Sequence, residues 1–289
     1  VMSGQLFIPR AIDTDGVWLW VADQTDRVQR FDPNSCDSRI AWRMPTTERG
    51  NPCGITCARD ARISVADTHQ FCVRVYAIGD DGVGGRVATF GSYGTGDGQF
   101  IYPTDVAVVM DPSGARVERI YVSEYGGNDR ISVFDPAYRF LFSFGAEGSG
   151  DLEFERPQSI AWDAERQELV VVDTVNHRVG RFTADGALIA WMGAGGARPG
   201  RGLREFTYPY GLALLGDGLA LVSEFGNNRI QIIDLERGVG LATYGEGGRK
   251  PGQLATPWAV TAIGRRAYVT DTGNHRVQSF ELPRRVAER

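Results

Sequence analysis

Apolar and polar positions along this chain alternate in short bursts. Runs rich in Val, Ile, Leu and Phe are separated by turns of Gly, Asp, Asn and Ser, and the best of them have a period of two, as in Arg130-Ile-Ser-Val-Phe134. That period puts successive side chains on opposite faces of an extended strand. The bursts themselves recur. Six times a β-branched run ends on an acidic residue and a second strand follows after a tight polar turn. The acidic residues are Asp23, Asp67, Glu124, Asp173, Glu224 and Asp271, 44 to 57 positions apart. The strands that follow begin at Arg27, Cys72, Arg130, Arg178, Arg229 and Arg276. A period near fifty residues corresponds to one supersecondary unit per repeat.

Each repeat opens at a proline (Pro9, Pro52, Pro103, Pro157, Pro209 and Pro257), and five of them close on a strand ending in an aromatic residue or Met, such as Arg139-Phe-Leu-Phe-Ser-Phe144. Four antiparallel strands repeated six times predict an all-β fold, a six-bladed β-propeller of four-stranded blades. The repeats run end to end without a linker, so residues 1–289 read as a single domain. Its blades are expected over roughly 9–48, 52–91, 103–145, 157–193, 209–245 and 257–280. The sixth repeat ends near Phe280 with only a short tail behind it. Blade six is therefore expected to lack a good outer strand, and the ring to close by packing of the inner strands of blades one and six.

The run Gly-Asp97-Gly-Gln-Phe100-Ile-Tyr-Pro103, with Asn128-Asp-Arg130-Ile-Ser-Val-Phe134 behind it, resembles the NHL repeat. Asp173-Thr-Val-Asn-His-Arg178 and Asp271-Thr-Gly-Asn-His-Arg276 are closer still to that family's signature. The resemblance covers essentially the whole chain and implies a six-bladed propeller. Two copies depart from it. Blade one has a shorter turn between Asp23 and Arg27. Blade two has Cys72 in the arginine place, from which loss of the acid–arginine contact is expected there.

Composition narrows the function classes. The 289 residues carry a net charge of −5, so no basic excess drives nucleic-acid binding. All but one of the 31 basic residues are Arg, the exception being Lys250. No stretch approaches the roughly 20 apolar residues of a membrane helix. The chain opens on Val1-Met2, so the lack of a visible signal peptide says little about an upstream leader or anchor. Cys36, Cys53, Cys57 and Cys72 lack zinc-ribbon spacing. They read as buried thiols, or as one disulfide between neighbouring strands, which would favour an oxidising compartment. The reading leans to a periplasmic or extracellular location over a cytoplasmic one.

In a propeller of this connectivity the proline loops and the turns between second and third strands share the face around the channel mouth. Residues just after the prolines should ring it: Arg10, Cys53, Thr104, Gln158, Tyr210 and Trp258. The turns add Gln24, His69, Tyr125, Asn128, Asn176, His177, Phe225, Asn227, Asn274 and His275. Aromatic and Arg side chains dominate binding hot spots, so Arg10, Tyr125, Gln158, Tyr210, Phe225 and Trp258 are the expected contacts for a protein or peptide partner. The six copies of acid and Arg read as hairpin fasteners, because an active site needs asymmetry that six near-identical copies lack.

The chain's three histidines, His69, His177 and His275, fall in alternate blades and offer a different reading. The NHL resemblance includes a peptidyl-α-hydroxyglycine lyase with three channel histidines on zinc, which makes a channel-metal lyase or hydrolase the alternative. Calcium held by inward-facing Asp13 and Asp105 is a further one. The main expectation is a binding or scaffold module without a cofactor, compatible with one subunit of a larger assembly, rather than an enzyme.

Overall fold

The computed structural model describes residues 6–45 and 52–283. Those residues form six small antiparallel sheets, each a blade, arranged in a ring. Blade one is β1 (Pro9–Thr14), β2 (Leu19–Asp23), β3 (Arg27–Phe31) and β4 (Ser38–Arg43). Blade two is β5 (Gly54–Cys57), β6 (Arg62–Asp67), β7 (Cys72–Ile78) and β8 (Gly84–Phe90). Blade three is β9 (Tyr102–Met110), β10 (Val117–Tyr125), β11 (Arg130–Phe134) and β12 (Phe140–Phe144). Blade four is β13 (Pro157–Asp163), β14 (Glu168–Asp173), β15 (Arg178–Thr183) and β16 (Leu188–Gly193). Blade five is β17 (Pro209–Gly216), β18 (Leu219–Glu224), β19 (Arg229–Asp234) and β20 (Val239–Tyr244). Blade six has three strands among the described residues, β21 (Pro257–Ile263), β22 (Arg266–Asp271) and β23 (Arg276–Glu281). Whether the tail supplies a fourth lies outside them. Among the described residues, no helix is long and apolar enough to cross a membrane.

Second strands such as β14 and β18 are buried along nearly their whole length because both faces meet a neighbouring blade. A separate apolar cluster fills each gap between blades. Trp20, Trp42 and Tyr76 pack between blades one and two, and Tyr121, Phe154 and Phe182 between three and four. The closing gap is filled by Ile12, Leu19, Val21 and Phe31 against Tyr268 and Val277. No strand is exchanged there among the described residues. The ring is fastened instead by Thr272, whose hydroxyl donates to the Pro9 carbonyl at 2.6 Å, and by Phe7 stacked on His275 at 5.2 Å.

The repeated acid is the hub of each blade. Asp173 accepts the Glu155 N–H at 2.8 Å, the Asn176 amide at 2.8 Å and the Arg178 guanidinium at 2.8 Å. Arg178 then reaches the carbonyls of Ser149, Gly150 and Glu153, stapling the loop that enters the blade. Glu224–Arg229 and Asp271–Arg276 repeat this arrangement at 2.5 and 2.6 Å. Burial pushes the carboxyls of Glu124 and Glu224 upward, while their arginines and N–H donors pull them back towards the charged form.

Blade two corrects one expectation. The acid–arginine contact survives without an Arg at position 72, because Arg74 Nε donates to Asp67 at 2.7 Å. Positions 72 and 74 share a face of β7, so a guanidinium two residues on still reaches the hub. In blades one, five and six that second position holds Gln29, Gln231 and Gln278, which also donate to the acid.

Candidate functional site

The residue after the proline is singled out by backbone geometry. In blades one, three, four, five and six the pairing of the first two strands slips immediately after it. Pro9 faces Asp23 while Ala11 already faces Ala22, and Pro209 faces Glu224 while Gly211 faces Ser223. The slip leaves Arg10, Thr104, Gln158 and Tyr210 as the extra residue of a β-bulge, with Trp258 and Ala259 in the corresponding irregularity. A bulge bends its strand and re-aims a side chain.

The residue before the proline contributes as well. Ile8, Arg156, Tyr208 and Thr256 are all left-handed, with φ of 50°, 60°, 47° and 48°, a strained conformation for a residue with a Cβ. The preceding blade holds each in place by accepting its N–H. The acceptors are His275 Nδ1 at 3.1 Å, Asp129 at 2.6 Å, His177 Nδ1 at 3.0 Å and Asn228 at 2.7 Å.

These distortions gather a compact cluster of aromatic rings and guanidiniums at one end of the channel. Tyr210 stacks on Phe225 at 4.8 Å and meets Trp258 edge-on at 4.7 Å. Arg10 lies 5.0 Å over Trp258. Arg156 spans Tyr125 and Tyr210, at 4.9 and 5.1 Å, and its Nε donates to Gln158 at 3.1 Å. Both guanidiniums and Cys53 act on the Tyr210 phenol, whose pKa is nonetheless raised, chiefly by burial. Arg10 and Arg156 differ from the hub arginines in one respect: neither has a carboxylate partner among the described residues. Arg10 Nε and Trp258 Nε1 are also buried without a hydrogen-bond partner.

Below the mouth, all six inner strands line a channel of about 300 Å³. Its walls are narrow because small residues let the strands approach. A Cβ on Gly54 would overlap the Thr104 carbonyl, and one on Gly211 would lie 2.6 Å from the Ala259 Cα. Asp13 and Asp105 both line this channel. Asp13 accepts the Cys57 N–H at 2.7 Å and the Thr261 hydroxyl at 3.3 Å. Asp105 accepts the Ser159 hydroxyl at 2.7 Å and the Ile160 N–H at 3.1 Å. No cationic side chain pairs with either among the described residues. Burial pushes Asp13 up to about 6 and Asp105 to about 7, their mutual repulsion adding to the effect on Asp105.

The structure thus brings together Arg10, Tyr125, Gln158, Tyr210, Phe225 and Trp258, with Cys53 beside them. Thr104 instead is fully buried, and its hydroxyl donates to the Pro157 carbonyl at 2.6 Å. Asn128, Asn176, Asn227 and Asn274 turn away from the mouth to bond the hub acids. The three histidines do not converge. No three His, Cys, Asp or Glu side chains among the described residues are placed to hold one metal ion. His177 and His275 serve as interblade acceptors, burial holding His177 below the usual imidazole range, while His69 packs 5.7 Å from Tyr102. None of the four cysteines forms a disulfide among the described residues. Arg156 was not among the expected contacts. Its signal was an Arg directly before a blade-opening proline, where three other blades have Ile8, Tyr208 and Thr256.

No protein-family profile matches the chain. Among curated proteins, it is 35% identical over 96 residues to the mouse peptidyl-glycine alpha-amidating monooxygenase, which is 32% of this chain and 9% of that protein. It is 25% identical over 146 residues to the Drosophila melanogaster protein brain tumor, 50% of this chain and 12% of that one. The chain thus spans about a tenth of the length of these relatives. Among solved structures, a Bacteroides thetaiotaomicron protein of unknown function superposes with a TM-score of 0.69 at 15% identity, over 96% of this chain and 70% of that one. A chain of the nidogen/laminin complex gives 0.65 at 17%, over 92% and 89%. A streptogramin B lyase gives 0.61 at 16%, over 99% and 88%. At these identities the structural likeness establishes the propeller fold.

Proposed function

We propose that this chain is an NHL-type propeller that binds a protein or peptide at the channel mouth, acting as a recognition module and not as a catalyst. The supporting observation is the mouth itself: Tyr125, Tyr210, Phe225 and Trp258 meet two arginines that lack acidic partners. Aromatic and Arg side chains of this kind, partly buried and preorganised, are the groups that dominate binding hot spots. The partial likeness to brain tumor is consistent with the NHL assignment, and the nidogen/laminin likeness shows the same fold in a protein complex. The lyase reading needs three convergent imidazoles, and His177 and His275 are instead committed to the backbone of the next blade.

The test is an array of synthetic hexapeptides, half tethered by the N-terminus and half by the C-terminus. Retention of a peptide subset on the protein, lost about tenfold or more in Trp258→Ala and kept in Arg39→Glu on an outer strand, is expected. Binding that ignores Trp258, or no binding from either half, overturns the proposal.

A further inference from the structure

The mouth and the channel below it have unmatched charges of opposite sign. Two guanidiniums sit at the rim without carboxylates, and two carboxylates sit on the wall without cations. Asp105 faces Ser123, one position below the acid that faces its blade-opening proline, and Asp13 faces Trp20, three positions below, so the carboxylates lie roughly 3 and 10 Å down the channel from the mouth at about 3.3 Å per residue. The wall is largely apolar, with Gly54, Ala107, Ala161 and Gly211 beside Ile55, Ile160, Leu212 and Val260. Such a wall suits an extended aliphatic stem.

Building on the peptide-binding reading, we infer that the ligand is the C-terminal residue of a peptide ending in Lys or Arg. Its terminal carboxylate sits between Arg10 and Arg156, and its side chain runs down the channel to Asp13 and Asp105. A guanidinium lying on an aromatic face keeps its edge N–H groups free for a carboxylate, and the bidentate fork of Arg suits that group. Arg10 Nε, buried without a partner, is one such donor. A terminal basic residue supplies both missing charges at once, separated by its three- or four-carbon stem. A purely anionic ligand would leave the buried carboxylates unmatched, and a purely cationic one would meet the arginines first. Burial without a cation is what chiefly raises both carboxyl pKa values, with repulsion from Asp13 a smaller contribution at Asp105, and a cation in the channel would favour their charged forms.

The experiment compares acetylated hexapeptides sharing their first five residues and ending in Lys with a free carboxylate, Lys amide, or norleucine with a free carboxylate. Calorimetry on the intact protein should show the free-carboxylate Lys peptide binding about tenfold or more tightly than either control. Arg10→Ala with Arg156→Ala should lower that peptide to the affinity of the amide and leave the amide unchanged. Asp105→Asn should lower it to the affinity of the norleucine peptide. Should Asp105→Asn not fold, Asp13→Asn provides the same test, and the three-peptide comparison on the unaltered protein stands by itself. Equal affinities of the three peptides, or a preference that survives these substitutions, overturns the inference. Mouth-dependent binding of peptides tethered by their C-terminus, with no terminal preference, would overturn it while leaving the peptide-binding proposal intact. Absence of any mouth-dependent binding would sink both.

Discussion

The acid–arginine hubs and the channel mouth use the same residue types for opposite ends. At a hub, Arg178 is largely buried, pairs with Asp173 at 2.8 Å and donates to three loop carbonyls. At the mouth, Arg156 is partly exposed, and its guanidinium lies over two tyrosines and pairs with no carboxylate among the described residues. A hub recurs in every blade and its polar groups are satisfied internally. The mouth is assembled from one or two residues per blade, different in each, and its charges look outward. Stability is thus distributed through the repeated positions, and recognition through the unrepeated ones.

The largest effect should come from breaking a hub. Asp173→Ala leaves Arg178 buried without its anion and is expected to lower unfolding free energy by about 3–5 kcal/mol, read from denaturant titration. Wild-type stability in that variant would place the fastening elsewhere. Blade two sharpens the point. Arg74→Gln should cost about 2 kcal/mol by taking the charge-assisted guanidinium bond from Asp67 and leaving only a neutral amide in reach, and adding Cys72→Arg, which restores the Arg and Gln arrangement of blades five and six, should recover most of the loss. Failure of the double variant to recover would mean that β7 cannot present position 72 to the hub.

The channel carboxylates predict a pH-dependent effect. Asp105 has its pKa raised from 3.8 in a free side chain to about 7, so the folded state holds the proton more tightly than the unfolded one. Its contribution is therefore full below about pH 4 and lost as pH rises through 7. Relative to Asp105→Asn, the wild type should lose stability on the order of 1 kcal/mol per pH unit across that window, measured as thermal midpoints at several pH values. A constant difference between the two proteins would contradict this. The smallest effect is expected at the mouth. Arg10→Ala should change stability by no more than about 0.5 kcal/mol while weakening peptide binding, and a large loss of stability would make Arg10 a structural residue after all.

Much of this was legible from periodicity. The period near fifty, the prolines and the acid-to-Arg spacing located the blades, the hubs and the three described strands of the sixth blade, because these are local, repeated patterns. The positions after the prolines were legible for the same reason, except that Thr104 is buried against Pro157 instead of joining the mouth. Arg74 could not be read as a hub partner, since its identity as one depends on β7 placing alternate residues on one face beside Asp67. Arg156 was hidden because only its left-handed backbone, held by Asp129 of the previous blade, swings it over Tyr125 and Tyr210.

By itself, then, the sequence determined a six-bladed propeller and the identity of its repeated fasteners, since alternation and spacing act over a few residues at a time. The tertiary structure alone decided which unrepeated side chains meet. It spent His177 and His275 on the backbone of neighbouring blades, buried Thr104, turned Asp13 and Asp105 into the channel, and left Arg10 and Arg156 without acids. Those outcomes depend on ring closure, which brings residues hundreds of positions apart within a hydrogen bond of each other, as at Thr272 and Pro9.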